Sequence, residues 1–91
     1  MKKVIYKYEL EVQDIIEVTM PIGAEILDLQ VQNNTPCLWA LVDRSEGKEV
    51  RKFRTIGTGH YIWDKEIPCK KYIGTYQLQS GFVFHLFEVP F

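Results

Sequence analysis

Short runs of alternating apolar and polar residues, each closed by a turn signal, restrict this chain to an all-β fold. Val4, Tyr6, Tyr8 and Leu10 alternate with Ile5, Lys7 and Glu9, the period of two required when one strand face is buried and the other wet. After Asp14, Ile16, Val18 and Met20 alternate with Ile15, Glu17 and Thr19. Pro21 closes that run, because proline cannot donate to a sheet ladder and holds its predecessor extended.

The next segment carries two patterns. Ile22, Ile26 and Leu29 sit at helical spacing, but Leu27, Leu29 and Val31 alternate with Asp28, Gln30 and Gln32. The second pattern runs further, so a strand is expected. Asn33-Asn34-Thr35-Pro36 is a turn cluster, since asparagine side chains bond their own backbone and tolerate left-handed geometry. Cys37-Leu38-Trp39-Ala40-Leu41-Val42-Asp43 is apolar on both faces, which marks a central strand covered on both sides or one lying under an interface.

Arg44-Ser45-Glu46-Gly47-Lys48 reads as a hairpin loop, and a basic strand follows. Its phase is imperfect: Val50, Lys52, Arg54 and Ile56 share one face, and Arg51, Phe53 and Thr55 the other. A bulge near Lys52 would restore the alternation. Residues 58–69 are irregular, and long ordered loops are often functional. Tyr72, Gly74, Tyr76 and Leu78 then alternate with Lys71, Ile73, Thr75 and Gln77, Gln79-Ser80-Gly81 turns the chain, and a nearly all-apolar run returns over residues 82–89. About seven short antiparallel strands predict a small β-sandwich or barrel forming one domain over residues 1–91.

Composition excludes several classes of function. A 91-residue chain has room for one core and little room for a deep cleft, and a formal net charge of -1 argues against coating nucleic acid by bulk charge. Cys37 and Cys69 lack the paired spacing of a zinc knuckle and the density of a disulfide framework, so both are expected as reduced thiols in the cytoplasm. Lys7 and Glu9 interrupt what would be the apolar core of a signal peptide, and no run approaches the length that spans a bilayer.

The stretch from Arg51 through His60 gathers the candidate recognition chemistry. Gly57-Thr58-Gly59-His60 can cradle an anion with converging backbone N–H groups, or simply shape a sharp strand exit that His60 caps. Arg51, Lys52 and Arg54, with Lys70 and Lys71, suit phosphates, while Phe53, Tyr61, Trp63 and Tyr72 can stack a base. The alternative is an edge strand blunted by charge against aggregation. His85 reads as a satisfied structural residue. The two cysteines and two histidines include no short-spaced pair for zinc, and no paired carboxylates stand ready for acid–base work, so neither catalysis nor a cofactor is expected.

Val31-Gln32-Asn33, Pro36-Cys37-Leu38-Trp39-Ala40-Leu41-Val42-Asp43, Phe53-Arg54, Gly57-Thr58-Gly59-His60, Tyr72-Ile73-Gly74-Thr75-Tyr76-Gln77-Leu78 and Phe84-His85-Leu86-Phe87-Glu88 resemble a family of short uncharacterised proteins found mainly in bacteriophages. The resemblance implies a phage accessory protein acting in the host cytoplasm. Two functions fit: a non-catalytic binding protein acting on a host protein or within a phage assembly, or a counter-defence sponge that sequesters an anionic nucleotide signal. In the second, Arg51 and Arg54 hold phosphates, the turn from Gly57 to His60 donates N–H groups, and Trp39 or Tyr61 stacks. The two runs apolar on both faces predict a homo-oligomer.

Overall fold

Leu38, Ala40 and Val42 of one strand and Phe53 and Leu86 of two others meet in a core between two antiparallel sheets. The structure, a computed structural model, describes residues 2–62 and 71–90. Its strands are β1 (Val4–Glu9), β2 (Ile15–Pro21), β3 (Glu25–Gln32), β4 (Thr35–Val42), β5 (Lys48–Gly57), β6 (Lys71–Gln77) and β7 (Val83–Val89). One sheet has the order β1-β4-β3 and the other β2-β5-β7-β6. The fold is therefore a sandwich. Among the described residues, no helix is long and apolar enough to cross a membrane.

The period of two translates directly into burial. Ile16 and Met20 of β2 face the core, while Ile15, Glu17 and Thr19 face out. Between β3 and β4 the turn is shorter than the Asn-Asn-Thr-Pro cluster suggests. Asn33 and Asn34 alone take positive φ, 52° and 60°, and Gln32 already pairs with Thr35. Two consecutive left-handed residues match the twist of a tight hairpin. The Asn34 side-chain oxygen accepts a 2.8 Å bond from the Gln79 N–H, tying this turn to the β6–β7 turn of the other sheet.

The mixed pattern at the start of β3 is a β-bulge. Ile26 pairs with Ala40 and Asp28 with Trp39, which leaves Leu27 as the extra residue. Ile26, Leu29 and Val31 consequently pack on the core, and Leu27 is turned out to solvent at 44% exposure. A bulge thus produces the helix-like spacing of three, and the expected common face for Leu27, Leu29 and Val31 is corrected.

No bulge near Lys52 restores the alternation of β5. β5 pairs with β2 from Lys48 to Arg54 and with β7 from Lys52 to Gly57 without a register shift. Arg51 therefore faces inward with Phe53 and Thr55. Its charge is met by Glu88 of β7: Nε donates to Oε2 at 2.6 Å and Nη2 to Oε1 at 3.0 Å. Nη1 donates to the Ala24 carbonyl at 2.5 Å, in the connection that carries the chain from one sheet to the other. Hydrogen bonding to Glu88 raises the Arg51 pKa further, so the guanidinium stays charged at any pH the fold survives.

Removing one partner strands a buried charge. Arg51→Met and Glu88→Leu are each expected to cost about 3 to 5 kcal/mol in urea unfolding, and the double variant to recover most of the loss. A second test concerns Tyr76, whose hydroxyl approaches that of Thr55 in the core without reaching good hydrogen-bond geometry. Burial raises the Tyr76 pKa above its ordinary 10.0. A neutral phenol is therefore favoured on folding, and that contribution is complete below pH 10 and lost as pH rises through the folded value. Tyr76→Phe should raise stability by up to about 1 kcal/mol and flatten the alkaline limb of a stability–pH curve.

Candidate functional site

β5 leaves its sheet through a turn whose shape depends on two glycines. The His60 N–H donates to the Gly57 carbonyl at 3.1 Å, and Gly59, the third residue of the turn, has φ +84°. A side chain at that φ is strained, which explains the residue type. Gly57 has a different reason. The His60 ring folds back over it, so that a Cβ at position 57 would lie 2.7 Å from His60 Cε1 and 2.8 Å from Nδ1.

The turn is fastened to β7. The Thr58 N–H donates to the Val83 carbonyl at 3.1 Å, and the Thr58 hydroxyl stands 2.7 Å from His85 Nε2. On the other side of the imidazole, the Tyr72 hydroxyl lies 3.0 Å and the Thr75 hydroxyl 3.2 Å from Nδ1, and Tyr72 and Thr75 also bond each other. Both ring nitrogens are thus taken up by neutral hydroxyls. His85 links β6, β7 and the turn after β5, a satisfied structural residue whose partners lie on the outer sheet face.

Beside the turn lies a cleft of about 360 Å³ lined by Gly57, Thr58, His60, Gly81, Phe82, Val83 and Phe84. Of its lining residues Phe82 is the exposed aromatic, at 68%. Tyr61, next in the chain after His60, is 97% exposed. Phe82 is supported from beneath: its ring is 6.3 Å from that of Phe84, which is 5.5 Å from buried Tyr76. A file of three rings thus runs from core to surface.

The other predicted site residues are scattered. Arg51 is committed to Glu88 and Ala24, and Phe53 is fully buried in the core. Arg54 occupies the outer face, paired in register between Ile15 and Phe87, so the two arginines point to opposite sides of β5. Trp39 stands half-buried on the outer face of the other sheet. Trp63, Lys70 and Cys69 lie outside the described residues. Gly57, Thr58 and His60 line one cleft, and Gly59 and Tyr61 only adjoin them in the chain. The Thr58 and His60 amides are consumed by internal bonds, so the turn does not present the converging donors of an anion nest. Phe82 escaped the sequence reading. The Gln79-Ser80-Gly81 turn was the available signal, because it brings residue 82 back toward the end of β5. Among the described residues, no group of three metal-binding side chains is present.

The two glycines should respond differently to alanine. Gly59→Ala imposes left-handed strain and is expected to cost about 1 to 2 kcal/mol. Gly57→Ala should cost less than about 1 kcal/mol, because the exposed imidazole can swing aside. Its signature is a changed His60 ring environment in NMR at nearly unchanged urea midpoint.

The chain belongs to the family described as a domain of unknown function (DUF7352), whose model matches residues 1–91. No curated protein and no solved structure matches it.

Proposed function

We propose that this member of the family is a small non-catalytic binding protein of phage origin. It acts in the host cytoplasm and docks an apolar segment of a host or phage protein in the cleft between the turn at residues 57–60 and the start of β7. The observation that carries this reading is Phe82, exposed and lining the cleft, with the exposed Tyr61 following directly in the chain after the cleft-lining His60. Rigid aromatic side chains beside a concavity are the usual anchors of protein interfaces, because they bury much area while losing few rotamers. Phe82 is already held by Phe84 and Tyr76, so binding need not order it.

The competing reading as a nucleotide sponge loses the paired arginines that suggested it. Arg51 is engaged in the core, and no bulge brings Arg54 round to its side.

Capture from host lysate on the immobilised protein should retain one partner, and Phe82→Ser and Tyr61→Ser should each weaken that capture by about thirtyfold or more while leaving the melting temperature unchanged. Capture indifferent to both changes would overturn the assignment of the cleft. A rise in melting temperature with any member of a nucleotide panel would favour the sponge instead.

A further inference from the structure

The outer face of the β1-β4-β3 sheet carries a pattern that is complementary to itself. Its outward residues lie in rows set by the strand registers: Ile5, Leu41 and Glu25; Lys7, Trp39 and Asp28; Glu9, Cys37 and Gln30. In each row the middle residue belongs to β4. The β3 bulge adds Leu27 between the first two rows. Ile5 is 59% exposed and Leu27 44%, with Trp39 and Leu41 half-buried between them. Lys7 and Asp28 flank Trp39 from opposite strands.

We propose that this face packs against the same face of a second copy, about a two-fold axis running along β4. Such a rotation lays β4 on β4 and exchanges β1 with β3 of the other copy. Lys7 then stands over Asp28 of the copy, twice by symmetry, and Trp39 over Trp39. Ile5 meets the bulged Leu27, which gives the bulge a purpose that the protomer alone does not supply. Glu25 and Glu9 fall opposite Ile5 and Gln30, so no carboxylate meets a carboxylate. The alternative axis, across the strands, sets Lys7 on Lys7 and Asp28 on Asp28. Like charges at close range oppose it.

The protomer leaves these charges available. Lys7 Nζ donates to the neutral Gln32 amide oxygen at 2.7 Å and lies 3.8 Å from the exposed Glu9 carboxylate. Asp28 accepts from the Leu29 N–H and the Gln30 side-chain amide, and among the described residues it has no ion pair. On association Lys7 exchanges an amide acceptor for a carboxylate. Size decides the strength. Three strands about 4.8 Å apart and up to eight residues long present roughly 400 Å² of flat area, about half of what each partner buries in a standard stable interface. The dimer is accordingly concentration-dependent, in the micromolar range or weaker.

Sedimentation velocity on the full chain from about 10 μM to about 1 mM should show the weight-average mass rising from 10.7 kDa toward twice that value. Ile5→Lys and Leu27→Lys, both at exposed positions, should stay folded by circular dichroism and remain monomeric throughout. Lys7→Glu and Asp28→Lys should each raise the dimer dissociation constant roughly tenfold, and the double swap should bring it back to within about threefold, because the exchanged charges face each other only across the two-fold. A monomer at 1 mM, a dimer indifferent to Ile5→Lys, or a swap that fails to rescue would overturn the proposal. This test is independent of the cleft on the other sheet.

Discussion

Arg51 sets the frame of β5. A guanidinium on the core face of a central strand needs partners, and Glu88 and the Ala24 carbonyl supply one for each of its three nitrogens. The alternative of slipping the strand by one residue would turn Phe53, fully buried, out to solvent together with every other inward side chain. Satisfying one cation is the smaller disturbance. The bond to Ala24 also ties the four-stranded sheet to the connection that enters the other sheet, so the pair fixes the approach of the two layers as well as the register of one strand. A buried pair of this kind is weak evidence for high stability, because desolvation offsets much of the attraction. Its consequence here is geometric.

That geometry divides the basic stretch into parts with different work. Arg51 belongs to the fold, Arg54 to the outer face, and the turn at residues 57–60 to the end of the strand. The neutral hydroxyls around His85 fasten the turn to β7 and so hold the cleft in shape. What this end of the sheet exposes is aromatic more than electrostatic: Phe82 backed by Phe84 and Tyr76, and Tyr61 next to His60 in the chain.

Most of the fold was legible because period-two alternation is a local property. β1, β2 and the hairpin at Asn33 and Asn34 follow it directly, whereas in β6 a bulge at Ile73 turns Tyr72 to the outer face and corrects its expected common face with Gly74 and Tyr76. Where a residue's environment is set by a strand distant in sequence, the pattern misled. Leu27 looked like a core residue because a bulge cannot be seen without the partner strand. Arg51 looked like a ligand contact because its partner lies 37 positions away on β7. The two-sided apolar run points to a strand covered on both sides or lying under an interface. β4 is central in its sheet, and only the register shows that its outer side, Cys37, Trp39 and Leu41, forms the middle of a face with Lys7 and Asp28 on either side. The cleft was half legible. The turn announced itself by its glycines, whereas Phe82 required the β6–β7 hairpin to be closed before it could be placed.

The two surfaces lie on different sheets, and that separation has a functional consequence. Pairing through the β1-β4-β3 face leaves the turn and the start of β7, which belong to the other sheet, uncovered in both copies. A dimer would then carry two clefts. For a chain whose proposed docking cleft offers little more than one lining aromatic anchor, Phe82, with Tyr61 next in the chain to the cleft-lining His60, one-to-one affinity is limited by the entropy lost on association. Two linked clefts meeting a repeated or oligomeric target convert the second contact into an intramolecular event, which can strengthen binding by orders of magnitude without any new contact chemistry. A weak dimer suits that arrangement, because a divalent target would itself stabilise the pairing by mass action. Affinity would then depend on target valence and protein concentration, a dependence that a monomeric binder using the same cleft would not show.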